Sequence, residues 1–268
     1  NHTPVGAFKI RGGLVYFAHL SQSGQVPKGV IAATRGNHGQ SVGYAAQRYG
    51  IPATIVVPHG NSVEKNAAMR AFGVDLIEHG DDFQAAAEYA FSYAAQADLV
   101  MVPPFHRELV RGVASYGLEL FDEIKGLDRI YVPVGMGSGI CSLITARDAL
   151  GLSTEIIGVV ATGADAVRQS FLAGKVMPSP SANTFADGVA CRSPDPAAFE
   201  IIKAGAADIV AVDDEQIASA MRLYFSSCHT LAEGAGAIPL AAAIAHRDEN
   251  IGKKVALILT GANIDRAD

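Results

Sequence analysis

Short apolar runs alternate along the chain with stretches whose apolar residues recur at helical spacing. Val30-Ile31-Ala32-Ala33 is such a run, closed by Thr34 and a glycine turn. Val42, Ala45, Ala46 and Tyr49 then recur as on one helix face until Gly50-Ile51-Pro52 stops the pattern. Thr54-Ile55-Val56-Val57 is β-rich, and Asn61 with Glu64 three residues later reads as a helix start. Val74-Asp75-Leu76-Ile77 reads as the next strand. Phe83, Ala86, Ala87, Ala90, Phe91 and Ala94 mark one helical face before the strand Leu99-Val100-Met101-Val102. A second series follows. Leu109, Val113, Tyr116, Leu120 and Ile124 predict a long helix, and Ile130-Tyr131-Val132-Pro133-Val134 a strand. Further strands are expected at 156–160, 209–212 and 255–259, with helices around 164–173 and 217–225 and an apolar helical stretch at 240–244. The run 178–196 is rich in Pro, Ser and Asn and reads as a long loop. Alternation of this kind predicts an α/β fold of parallel strands covered by helices.

With 268 residues and 49% hydrophobic content, the chain is long enough for a large core in one domain or two unequal ones. A net charge of −6 without any basic stripe argues against nucleic acid or an anionic membrane surface as partners. No apolar run reaches the ~18 residues of a membrane span and no secretory leader is visible. Cys141, Cys191 and Cys228 share no metal or redox spacing, so a reducing, cytoplasmic setting is expected. The chain opens at Asn1, almost on top of the segment that carries the chemistry, which suggests that an N-terminal segment precedes it.

That segment is Ala7-Phe8-Lys9-Ile10-Arg11-Gly12-Gly13. A lysine among apolar neighbours is desolvated, which favours the neutral, nucleophilic amine. Taken alone, Lys9 reads more readily as a side chain that snorkels to solvent. Gly135-Met136-Gly137-Ser138-Gly139 lies between a strand and a helix, where glycines let N–H groups converge on an anion. It lacks both the Walker lysine and the dinucleotide G-x-G-x-x-G spacing, so a monophosphate is the better functional fit and a plain tight turn the alternative. Gly36-Asn37-His38-Gly39 makes a similar turn that could clamp a carboxylate, with Asn37 available to a ring hydroxyl. His38 by itself also reads as a loop histidine bonded to backbone. Thr260, in Leu259-Thr260-Gly261-Ala262-Asn263, stands where ligands gather in open α/β sheets, or serves as a capping hydroxyl.

In this order, Phe8-Lys9-Ile10-Arg11-Gly12, Gly36-Asn37-His38-Gly39-Gln40, Gly135-Met136-Gly137-Ser138 and Thr260-Gly261-Ala262-Asn263 resemble the pyridoxal-phosphate enzymes of fold type II, specifically the serine/threonine dehydratase and serine racemase group. The resemblance covers the whole chain. It implies two open parallel α/β domains: a large cofactor-binding domain from 1–28 and 106–268, and a small inserted domain at 29–105. It implies pyridoxal 5'-phosphate as cofactor, with Lys9 as the catalytic Schiff-base lysine and Phe8, Asn37, Gly135, Met136, Gly137, Ser138, Gly139, Glu233 and Thr260 as cofactor contacts. Thr34, Arg35, Gly36, Asn37 and His38 would bind the substrate. The implied activity is dehydration and deamination of a 3-hydroxy amino acid, L-threonine or L-serine first, to a 2-oxo acid and ammonia, in a homodimer. Glu233 also reads simply as a helix-start glutamate.

Departures from the family pattern sharpen the expectation. Arg35 replaces the serine that racemases use as a second acid/base, and an arginine cannot shuttle that proton. Arg35 either meets a substrate carboxylate or side chain, or faces solvent or a neighbouring part of the protein. The positions matching the family's cation ligands are Val160, Ala164 and Ala166, so no metal is expected there. The chain stops soon after Asn263, which resembles the catabolic enzymes without a regulatory domain. Arg35 and Phe105 leave open a bulkier or acidic substrate such as phenylserine or hydroxyaspartate. Alternatives of other classes are a β-replacement transferase like cysteine synthase, a nucleotide-binding oxidoreductase, and a non-catalytic cofactor-binding protein.

Overall fold

Helices follow strands in regular succession in the computed structural model, which describes residues 2–24 and 26–265. These residues divide into two compact units. The first holds 2–112 and regains the chain at 263–265; the second is Val113–Ala262.

The first unit opens with α1 (Ile10–Gln22) and alternates β1 (Val30–Ala33), α2 (Asn37–Tyr49), β2 (Ala53–Val57), α3 (Val63–Ala71), β3 (Asp75–Glu78), α4 (Phe83–Ala97) and β4 (Val100–Met101). All strands are parallel, in the order β3-β2-β1-β4. Every residue of β1 is buried, which is why it reads as an unbroken apolar run rather than an alternating one. Helix α5 (Arg107–Glu123) carries the chain from the first unit into the second.

The second unit continues with β5 (Arg129–Pro133), α6 (Ser138–Ala149), β6 (Glu155–Ala161), α7 (Ala166–Ala173), α8 (Pro196–Gly205), β7 (Asp208–Val212), α9 (Asp214–Cys228), α10 (Gly234–Ala245) and β8 (Val255–Leu257). Its sheet has the order β7-β6-β5-β8, again parallel throughout. In both sheets the chain winds outward in one direction and then returns to the other side of its first strand. That creates a topological switch point beside the C-terminal ends of β1 and β5, where open α/β sheets bind ligands.

The strands anticipated from the sequence are present, with β4 reduced to two residues and β8 ending at Leu257. Two helices were not anticipated. Helix α1 contains Gly12 and Gly13, poor helix formers, yet a Cβ on Gly13 would lie 2.3 Å from Ser41 Oγ. Gly13 thus serves the close packing of α1 on α2, and Gly12 lies where Gly112 of α5 approaches, so tertiary contact overrides propensity. Helix α8 begins inside the expected loop, where Asp195 caps Ala197 and Ala198 N–H and Pro196 takes the first helical position. Two local expectations are corrected. The cap of α3 is Ser62, whose hydroxyl accepts from Lys65 N–H, while Asn61 bonds Asn66. Phe91 is 71% exposed, so the buried stripe of α4 is Ala86, Ala90 and Ala94.

The compact units are drawn differently from the expected domains. Residues 2–28 pack with the first unit through α1 on α2, and 263–265 return to it through Asn263, which bonds Val5 and Asn37.

Candidate active site

In the first unit, Lys9 is the residue at which the chain turns into α1. Its backbone is held twice, its carbonyl accepting from Gly13 N–H at 3.1 Å and from Ser41 Oγ at 2.6 Å. Nζ lies 5.0 Å from the centroid of the Phe8 ring, and the side chain is half-buried. The lysine is therefore anchored at its backbone by α2 and flanked by an aromatic face.

The turn between β1 and α2 holds the other candidates of this unit. Thr34 is buried, and its Oγ1 accepts from Gly36 N–H at 2.9 Å and Gly39 N–H at 3.3 Å. This commits the Thr34 lone pairs to shaping the turn. A Cβ on Gly36 would meet the Lys65 side chain, Cδ at 2.5 Å, which would have to move aside. Arg35 and Asn37 are partly exposed. Asn37 Oδ1 accepts from Asn263 Nδ2 at 2.7 Å, so the last sequence motif reaches the second one directly. One helical turn beyond Asn37, Gln40 is 3% exposed and its Nε2 has no hydrogen-bond partner. A buried amide without a partner is costly and uncommon in folded proteins.

His38 is buried, and its Nε2 lies 3.3 Å from the carbonyl of Val102, just past β4. A carbonyl only accepts, so Nε2 carries the proton and Nδ1 is left as an acceptor. The bond spans the switch point from the β1 turn to the end of β4. Burial first and the charge of Lys9 second push the His38 pKa down to about 4, against the opposing bond to Val102. Because this value lies below the unfolded 6.5, the neutral ring contributes stability in full above pH 6.5, and that contribution is lost as pH falls toward 4. The loss is of order 3 kcal/mol. Thermal unfolding from pH 7 to 4.5 should show it, and His38→Gln, which keeps a donor for Val102, should lose less. An identical pH dependence in the variant would remove His38 as the source.

In the second unit, the chain leaves β5 through Gly135 and Met136 into α6. Gly137 has φ of +94°, a region that favours glycine, and Ser138 and Gly139 open the helix with buried positions. A Cβ on Gly135 would lie 2.2 Å from the Gly188 carbonyl oxygen, and one on Gly137 2.8 Å from Ala198 Cβ. The backbone of 135–139 is thus packed closely against its surroundings at a helix N-terminus, where N–H groups favour an anion. Tyr116 Oη and Ser142 Oγ both donate to the Gly139 carbonyl, fixing this first turn.

Thr260 follows β8, the strand beside β5, and is 3% exposed. Its hydroxyl reaches the Ala235 carbonyl only at 3.5 Å, the outer limit of a hydrogen bond, so it can rotate toward another partner. Glu233 is buried at the start of α10; its side chain makes no capping bond, while its N–H donates to the Gly261 carbonyl. The helix-start reading of Glu233 therefore holds for its position and not for a capping role of its side chain.

Ser41, Gln40 and Asn263 were absent from the candidates read from the sequence. Gln40 and Asn263 lie within the quoted motifs, whereas nothing local marks Ser41. At the positions matching the family's cation ligands, Val160, Ala164 and Ala166 are buried and apolar, and the neighbouring Asp165 accepts from Gln169.

A family model described as pyridoxal-phosphate dependent enzyme matches residues 1–261. The chain is 35% identical over 266 residues to an L-threonine ammonia-lyase of Thermotoga maritima, covering 99% of this chain and 66% of that protein. It is 30% identical to an L-threo-3-hydroxyaspartate ammonia-lyase of Saccharomyces cerevisiae, over 99% of this chain and 81% of the relative. Its structure superposes on the processed form of threonine deaminase isoform 2 from Solanum lycopersicum with a TM-score of 0.93 and 30% identity, over 99% of this chain and 78% of that one. The chain spans less than two thirds of the length of the first two curated relatives it matches, both threonine ammonia-lyases.

Proposed function

Because the chain belongs to the pyridoxal-phosphate dependent enzyme family, we propose that it eliminates water from a 3-hydroxy amino acid, L-threonine or L-serine first, and that the released enamine tautomerises and takes up water again to give a 2-oxo acid and ammonia. The observation that supports this most is the similarity to threonine ammonia-lyase across 99% of the chain. The residues fit the cofactor. A backbone-anchored lysine and a glycine-lined helix N-terminus at 135–139 are the group types that suit an aldehyde and a phosphate. When bound, pyridoxal phosphate supplies an aldehyde for amines and a ring that withdraws electrons from Cα.

Lys9 would hold the cofactor through Nζ and, once released, take the Cα proton of the substrate on that same nitrogen. The turn of Thr34, Gly36 and His38 would orient the substrate carboxylate. The N–H groups of 135–139 would hold the phosphate at the α6 N-terminus. Thr260 would face the ring nitrogen as a neutral hydroxyl, which leaves that nitrogen without a carboxylate partner and suits prompt loss of a β-hydroxyl. Arg35, always protonated, cannot return a proton to the opposite face of Cα, which favours elimination over racemisation. The proposed assembly is a homodimer in the cytoplasm.

A second substrate reading rests on Arg35, partly exposed beside Asn37 on the substrate turn. Its guanidinium suits a second carboxylate, as in a 3-hydroxyaspartate. Release of 2-oxo acid should be measured on a panel of 3-hydroxy amino acids with both configurations at each centre. Threonine or serine should turn over, and no turnover of any member would defeat the assignment. If Arg35 contacts substrate, Arg35→Ser shifts kcat/KM between acidic and neutral substrates by about tenfold or more. An unchanged preference would place Arg35 outside recognition.

A further inference from the structure

Asn263 donates twice from one nitrogen. Its Nδ2 lies 2.8 Å from the Val5 carbonyl and 2.7 Å from Asn37 Oδ1. An amide nitrogen carries two hydrogens, so both are used. Oxygen and nitrogen of an amide side chain are distinguished by their partners, and a backbone carbonyl can only accept. The Val5 carbonyl therefore requires the nitrogen of Asn263 on its side. That same nitrogen then requires an acceptor from Asn37, which must present Oδ1 to it. The Asn37 amide is thereby turned so that its own Nδ2 points to the opposite side, as a donor. A backbone atom four residues before Lys9 sets the polarity of the whole relay.

The surroundings hold Asn263 in place. Gly6 has φ of +62°, and a Cβ there would lie 2.7 Å from Asn263 Oδ1. Val5 is 2% exposed, so the anchoring carbonyl belongs to a buried residue. The relay selects the orientation of the Asn37 amide that presents an N–H on the side away from Asn263.

We propose that Asn263 is a positioning residue that holds Asn37 as a hydrogen-bond donor to the phenolic oxygen of the cofactor ring. The inference rests on the reading of Asn37 as a cofactor contact. A donor at that oxygen favours its ionised form, so losing the orientation raises the pH at which the visible band of the bound cofactor titrates.

The test uses the full-length holoenzyme with Asn263→Ala, Asn37→Ala, the double variant and Asn263→Asp, and reads the titration midpoint of the visible band and the cofactor dissociation constant. Asn263→Ala should weaken cofactor binding about tenfold and raise the midpoint. The double variant should match Asn37→Ala within about twofold, because Asn263 acts through Asn37. Asn263→Asp cannot donate to Val5 and accepts from Asn37 Nδ2, turning the amide around, so its shift should exceed that of alanine. Asn263→Ser retains one donor and should fall between wild type and alanine, which separates orientation from loss of fold. An altered cofactor in Asn37→Ala with none in Asn263→Ala, or additive effects of the two, would overturn the relay alone. An unaltered cofactor in Asn37→Ala would overturn the relay together with the cofactor role of Asn37.

Discussion

Replacing Lys9 by alanine is expected to abolish the visible absorbance of the bound cofactor and to lower kcat/KM by at least about 10³-fold, since both the covalent anchor and the proton carrier are lost. Folding should survive. The carbonyl of residue 9 keeps its bonds to Gly13 and Ser41 whatever the side chain. The side chain is half-buried beside Phe8 and fills no closed core, so the unfolding free energy should change by no more than about 0.5–1 kcal/mol. Lys9→Arg should be equally inactive, because a guanidinium neither condenses with the aldehyde nor gives up its proton near neutrality. Absorbance spectra and 2-oxo acid release on the same preparations decide the matter. Activity retained in Lys9→Ala would sink both the family chemistry and every role derived from it.

Gly135→Ala is the second large effect. The added Cβ would come within 2.2 Å of the Gly188 carbonyl oxygen, a backbone atom in the short turn Asp187–Val189. Backbone yields less readily than the end of a flexible side chain, so the turn into α6 must shift. Overpacking of this kind costs about 1–3 kcal/mol and should lower Tm by several degrees. Displaced N–H groups at 135–139 should weaken cofactor retention by about 100-fold, because phosphate binding depends on their convergence. Gly151→Ala provides the contrast: its φ of +64° makes the change mildly strained, but nothing lies within 4 Å of the new Cβ. That variant should lose about 1 kcal/mol and keep its cofactor. Equal cofactor affinity in Gly135→Ala and the wild type would remove 135–139 as the phosphate site.

Residues adjacent in sequence carried most of the legible signal. The all-buried run at 30–33 and the fully apolar middle of β5 announce interior parallel strands because both faces of such a strand are covered. The turns at 34–39 and 135–139 stand out through their glycines, and the geometry shows why at Gly135 and Gly137. Where the reading failed, a distant contact decided the local structure. Helix α1 tolerates two glycines because Ser41 of α2 presses against Gly13 and Gly112 of α5 lies against Gly12, and no feature of 10–22 itself reports either helix. Phe91 falls at helical spacing yet faces outward, since period locates a stripe without showing how wide the covered part is. His38 by itself reads as a loop histidine bonded to backbone, and the fold supplies the distant partner, the Val102 carbonyl at 3.3 Å.

The sequence alone determined the alternation of strands and helices, the positions of the two glycine turns and the lysine, and the order of motifs by which the family is recognised. These follow from neighbouring residues: periodicity, turn chemistry and spacing are properties of a short stretch of chain. Tertiary structure alone decided the strand orders β3-β2-β1-β4 and β7-β6-β5-β8, which put each glycine turn at a switch point. It alone brought Val102 to His38, Ser41 to the Lys9 carbonyl, and Asn263 across the length of the chain to Asn37 and Val5. Hydrogen-bond partners of this kind are set by which strand returns beside which. That choice depends on how whole sheets bury their faces, which no short stretch of sequence encodes.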